Sequence, residues 1–123
     1  MNDQHIASAF DRDLQDIQAQ IMKMGGLVEM AILDAADALA SRDQEKAEEV
    51  RAKDKAVDLL EEQINDDAAQ LIALRAPTAI DLRLVLSVLK ISANLERIGD
   101  YAKNMAKRTS VLTQLPVIEE AHV

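Results

Sequence analysis

An elongated, all-α, up-down-up bundle of three antiparallel helices is what this chain of 123 residues predicts. Three observations carry that expectation. Ala and Leu, the strongest helix formers, occur 20 and 15 times, against one Phe, one Tyr and no Trp. Only three Gly and two Pro are present, too few breakers for a many-stranded fold. Apolar residues recur at steps of three and four along three long segments. Hydrophobic residues make up 49% and charged residues 29% of the chain, a balance that folds rather than staying disordered.

The first helix is expected from about Asp3 to Ala40. Its apolar stripe is Phe10, Leu14, Ile17, Ile21, Met24, Val28, Ala31, Ala35 and Leu39. Gly25 and Gly26 interrupt it, and glycine inside a helix costs about 1 kcal/mol relative to Ala. Close approach of a neighbouring helix is the expected compensation, with a kink as the alternative. Ser41-Arg42-Asp43 reads as a break. Ser and Asp cap helices well, and Glu45, Glu48 and Glu49 suit the positive end of a new one.

The second helix is expected over Gln44 to Arg75, with Ala47, Val50, Asp54, Val57, Leu60, Ile64, Ala68, Leu71 and Leu74 in its stripe. Asp54 is the one member that is not apolar. Pro77 then ends the helix and disfavours helical geometry at Ala76. Thr78 with Asp81 three residues on resembles a capping box. The third helix is expected from Ala79 to about Arg108, facing inward through Leu82, Val85, Leu89, Ser92, Leu95, Ile98, Ala102 and Met105. Lys103, Lys107 and Arg108 near its end complement the helix dipole. The bundle is thus expected over 1–110. Residues 111–123, which hold Pro116 and lose the periodicity, are expected to form a linker or tail. Short turns between long helices make neighbours antiparallel.

Several function classes are disfavoured. The chain has no Cys, so disulfides, thiolate metal sites and Cys nucleophiles are absent. Its start is polar and lacks the apolar core of a signal peptide. No run approaches the roughly 18 apolar residues that span a membrane. A cytoplasmic location is expected. The net charge of −8 makes a phosphate backbone a poor partner, so no nucleic-acid binding is expected. An acidic surface suits cations and basic partners instead.

The acids are arranged in pairs. Glu45/Glu49, Asp54/Asp58, Asp58/Glu62, Glu62/Asp66 and Glu96/Asp100 each stand four residues apart, on one helix face, where they repel. Folding helices two and three back about Pro77 singles out two of these pairs. Asp58 lies 19 residues before Pro77 and Glu96 lies 19 after it; Asp54 and Asp100 each lie 23 away. At equal rise per residue the two pairs come level. Four carboxylates near one seam must face water, or be neutralised by a metal or by basic groups such as Arg97, Lys53 or Lys55. An all-oxygen cluster suits hard cations such as Mg, Ca or Mn, and also Fe. The two histidines, His5 and His122, lie at the termini, so a histidine-bearing di-iron enzyme site is not expected.

The string Leu95-Glu96-Arg97-Ile98-Gly99-Asp100 resembles the signature of PhoU-type phosphate-signalling regulators. So does Arg75-Ala76-Pro77-Thr78-Ala79-Ile80-Asp81-Leu82-Arg83 at the turn before it. Met24-Gly25-Gly26-Leu27-Val28-Glu29 and Asp54-Lys55-Ala56-Val57-Asp58-Leu59-Leu60-Glu61 are similar to further family segments, and the likeness runs from about Asp11 to Arg108. The resemblance implies a three-helix repeat, of which a family member usually has two. It implies metal, whether Fe, Mn, Mg or Zn, on E(D)-x-x-x-D motifs that fall here on Asp54, Asp58, Glu96 and Asp100. It further implies repression of phosphate uptake and signalling, through the ATPase subunit of the phosphate ABC transporter and the phosphate-sensing histidine kinase, with no catalytic activity. Asn65 stands beside Glu61 where many relatives are expected to carry an acid, which weakens an outlying metal contact.

The chain departs from the family in holding one repeat. It is expected to be an N-terminal-type half or a single-repeat protein, and pairing of two copies into a dimer is the expected way to restore the missing half. Exposed parts of helix one and the Lys103–Arg108 end are candidate docking surfaces. Two other functions compete with the regulatory adaptor. One is an enzyme built on a carboxylate-bound metal, although Ser87 and Ser92 lack a base and no phosphate-binding glycine loop of the Walker type is present. The other is a structural, oligomerising helical module whose acids are solvated and bind no metal.

Overall fold

A computed structural model of the chain describes residues 2–116, with side chains from residue 8 onward. It holds three helices: α1, Asn2–Ser41, α2, Gln44–Arg75, and α3, Ala79–Leu112, each packed on both others. His122 lies outside the described residues.

Local chemistry explains the element boundaries. Asp43 has extended backbone, and its side chain accepts a hydrogen bond from the Lys46 N–H at 3.1 Å, so α2 starts on a true N-cap. At the other end Ala76 turns into the left-handed region, with φ 45°, and its N–H donates to the Ile72 carbonyl before Pro77. The expected capping box at Thr78 does not form. Thr78 has extended backbone but makes no side-chain cap bond; its carbonyl accepts from the Asp81 and Leu82 N–H groups instead. The third helix continues to Leu112, past the expected end near Arg108. Thr109 is buried there and its hydroxyl donates to the Met105 carbonyl at 3.2 Å. The last turn of α3 consequently contains no basic residue. Its dipole is met from across the bundle, where the Arg42 guanidinium donates to the carbonyls of Leu112 and Leu115.

The interior has two parts. Phe10, Leu14, Ile17, Met24, Val28, Val57, Ile64, Leu71, Val85 and Val88 fill one end with large side chains. Ala35, Ala38, Ala47, Val50, Ala102 and Ala106 fill the other with small ones. Along α2, Val57 belongs to the first cluster and Val50 to the second; Asp54 stands between them. Along α3, buried Gly99 stands in the same interval, whereas buried Ser92 faces Met24 within the first cluster.

Four positions of the expected apolar stripes differ in the structure. Leu74 and Ile98 are exposed, and Leu39 is at the edge of exposure, although each fits the helical spacing. On α3 the inward positions are Gly99 and Ala106 rather than Ile98 and Met105. The buried stripe of α3 is thus shifted by one residue at these two positions, onto small side chains. The expected close approach at Gly25 and Gly26 is also absent: a Cβ built at either would meet nothing within 4 Å. At Gly99, by contrast, a Cβ would touch Val57 Cγ1 at 3.5 Å, and Asp54 Oδ1 and Val28 Cγ2 at 3.6 Å. Anything larger than a methyl group would displace them.

The open space at Gly26 yields a stability prediction. Gly26→Ala removes an unfavourable helix residue without a clash and is expected to stabilise the chain by about 1 kcal/mol. Thermal unfolding followed by circular dichroism checks it, and an unchanged or lower Tm would contradict the open geometry.

Candidate metal centre on the α2–α3 seam

The seam begins with Asp54. Val50 and Val57, one turn either side of it, are both buried, so the helix carries Asp54 inward with them. Its side chain is 6% exposed. Lys103 Nζ stands 3.6 Å from Asp54 Oδ2, near enough for an ion pair, while Oδ2 itself is buried and accepts no hydrogen bond among the described residues. Burial is the main force pushing the Asp54 carboxyl above its ordinary range; Asp58 and Asp100 add to it and Lys103 opposes them.

The other acids lie around it. Glu96 and Asp100 on α3 are half-buried, as is Glu61 on α2, while Asp58 is exposed. Burial raises the Glu96 carboxyl to about 7, helped by the adjacent Asp100 and by Glu61 and Asp58. Burial likewise raises Glu61, with the charges of Asp58 and Asp100 behind it. All three raised groups thus feel both Asp58 on α2 and Asp100 on α3. The two pairs selected by the hairpin spacing share one electrostatic field, as coming level across the seam requires. Their side chains do not converge further: among the described residues no group of three or more His, Cys, Asp or Glu is arranged to hold a metal ion.

The donor set still has the character of a cation site. It is all oxygen, suits hard cations, and contains one buried acceptor atom without a hydrogen bond. A divalent ion would offset the burial and the mutual repulsion that together raise Asp54, Glu61 and Glu96.

Two members of the seam were not anticipated in these roles. Lys103, and not Arg97, Lys53 or Lys55, pairs with the buried acid; none of those three makes an ion pair among the described residues. Spacing contained the signal, since Lys103 follows Asp100 by three residues and Glu96 by seven, on the same face of α3. Glu61 follows Asp58 by three and Asp54 by seven in the same way. Ser92 has no catalytic setting: it is fully buried and its hydroxyl faces the Met24 sulfur at 3.7 Å.

Comparison with known proteins places the chain in a family. Residues 21–109 match the family model for the PhoU domain. The chain is 44% identical over 119 residues to a phosphate-specific transport system accessory protein PhoU homolog of Zymomonas mobilis, covering 97% of this chain and 50% of that protein. A homolog of the same description from a Burkholderia species is 41% identical over 114 residues, covering 93% and 48%. The crystal structure of PhoU from Pseudomonas aeruginosa superposes with a TM-score of 0.83 at 38% identity, over 85% of this chain and 50% of that one. The chain spans about half the length of the relatives it matches.

The seam makes stability depend on pH with a definite sign. In the unfolded chain Glu96 ionises near 4.5, whereas in the folded chain it holds its proton up to about 7. The folded state binds the extra proton between those values, so stability falls as pH rises through that window. Metal-free Tm is expected to be lower at about pH 8 than at about pH 5, and Glu96→Gln to remove much of the fall. A fall of undiminished size in Glu96→Gln would contradict the assignment.

Proposed function

The chain belongs to the PhoU family, and from that premise we propose that it is a regulatory protein of phosphate homeostasis that restrains high-affinity phosphate uptake and phosphate-sensing two-component signalling. It acts by protein–protein contact rather than by catalysis. Its partners in this reading are the ATPase subunit of the phosphate ABC transporter and the phosphate-sensing histidine kinase, both met in the cytoplasm. The observation that carries the reading is the match, over nearly the whole chain, to proteins named as accessories of phosphate-specific transport. Among the described residues no helix is long and apolar enough to cross a membrane, which fits a protein that works on a membrane transporter from outside the bilayer.

Metal binding belongs to the same proposal. Asp54, Asp58, Glu96 and Asp100 would hold the ion, with Glu61 beside them; Fe, Mn, Mg and Zn are the candidates. A bound ion would supply charge neutralisation and tie α2 to α3. The buried Asp54 Oδ2 without a hydrogen bond supports this. A second reading, an oligomerising helical module with no metal, is favoured by the failure of three carboxylates to converge among the described residues.

The outer face of α3 supports pairing with a second copy. Leu84, Ile91, Ile98 and Leu112 are exposed at multiples of seven residues, with half-buried Met105 at the missing step. A seven-residue apolar repeat is the pattern of a helix that packs along another helix. Leu39, Tyr101, Met105 and Leu112 also line a 620 Å³ groove at one end of this face. A second copy would cover it.

Surface-immobilised chain is expected to retain the purified ATPase subunit of a phosphate transporter, more strongly at millimolar than at micromolar phosphate. In solution the chain is expected to have the mass of two copies. No retention at either phosphate level by chain shown to be helical would contradict the regulatory reading, and a single-copy mass would contradict the pairing.

A further inference from the structure

Lys103 has two neighbourhoods. On its inner side is the buried Asp54 carboxylate, 3.6 Å away. On its outer side it lines a 330 Å³ groove with Glu48, Arg51, Ala52 and Lys55 of α2. The inner contact is loose. It is too long for a hydrogen bond, Asp54 Oδ2 has no other partner among the described residues, and the Lys103 side chain is 35% exposed against 6% for Asp54. The charges around Asp54 leave Lys103 alone as its counter-ion. From α1, Asp34 lines the small apolar cleft beside Asp54; from α2, Lys53 lines it too but makes no ion pair among the described residues. Asp58 and Asp100 add only negative charge.

An ammonium and a divalent cation cannot both stand against one carboxylate without strong repulsion. We propose that Lys103 is a resident counter-ion that holds the place beside Asp54 in the metal-free protein, and that a divalent ion entering the seam displaces it into the outer groove, where Glu48 receives it. This inference rests on the metal-binding reading above. It gives the seam two filled states rather than one filled and one empty. The metal-free bundle never leaves Asp54 without a cation, and metal must compete with a tethered one to bind. Loading also changes the exterior, because Lys103, which already lines the groove beside Arg51 and Lys55, turns away from Asp54 and fully into it. Occupancy of a buried site thereby becomes a change of charge on the surface of α2.

Calorimetric titration with Mn²⁺ on the wild type, Lys103→Met and Lys103→Arg tests the competition. Lys103→Met is expected to bind Mn²⁺ about tenfold more tightly, the equivalent of one pKa unit of interaction, while Lys103→Arg stays close to the wild type. Equal or weaker binding by Lys103→Met, with wild-type binding intact, would overturn the resident-ion role and leave the metal site standing. Absence of binding in all three proteins would overturn both. If Lys103→Met does not fold without metal, the ¹³Cε resonance of Lys103 in the wild type decides. It is expected to move on adding Mg²⁺, and a resonance that stays fixed while the chain demonstrably binds Mg²⁺ overturns the displacement.

Discussion

Burying a carboxylate costs several kcal/mol unless a cation meets it, and Asp54 lies 6% exposed with one lysine at 3.6 Å. The middle of the bundle is organised around that constraint. Large apolar side chains stop at Val57 on one side of it, and a core of alanines and Val50 begins on the other. Opposite, α3 presents Gly99, where a Cβ would lie in van der Waals contact with Asp54 Oδ1 and Val57. Glu96 and Asp100, three residues before it and one after it, then bring two more carboxylates to the seam. A uniformly apolar core would have been simpler to stabilise, and this polar interval is where the proposed metal site lies.

The two ends of the bundle serve the site differently. The Phe10–Leu71 end supplies most of the large buried side chains and hence most of the hydrophobic stabilisation. The alanine end, built of small side chains, adds less by burial. It is closed by polar contacts, with Arg42 on the last carbonyls of α3 and Lys46 paired with Asp37. Outside, the seven-residue stripe of α3 stays apolar and uncovered.

Much of this was legible in the sequence because its signals are local. Asp43 and Pro77 act within one turn of the residues they name, and α2 begins and ends where they place it. The pairing of Asp54/Asp58 with Glu96/Asp100 was legible for a related reason: a short turn fixes register, and equal counts on either side of Pro77 bring positions level. What escaped the reading was set by contacts distant in sequence. Arg42 caps α3 across 70 residues, so nothing near Arg108 revealed that the helix continues to Leu112. Leu74, Ile98 and Leu39 fit the helical period yet face outward, because the apolar face is wider than the core it covers. Gly25 and Gly26 looked like a packing notch, but the notch is at Gly99, on the helix that faces Asp54. The counter-ion expected at Arg97, Lys53 or Lys55 is Lys103, one turn beyond Asp100 on α3.

The central claim is that Asp54 is an electrostatic burden in the metal-free bundle and an asset in the loaded one. Melting of Asp54→Asn beside the wild type, at about pH 8 in chelator and again in millimolar Mn²⁺, tests it most directly, since a ligand that binds only the native state raises Tm by mass action. The account predicts that Asp54→Asn melts above the wild type in chelator, and that only the wild type gains on adding Mn²⁺. A variant that melts below the wild type in chelator and gains equally with Mn²⁺ would contradict it.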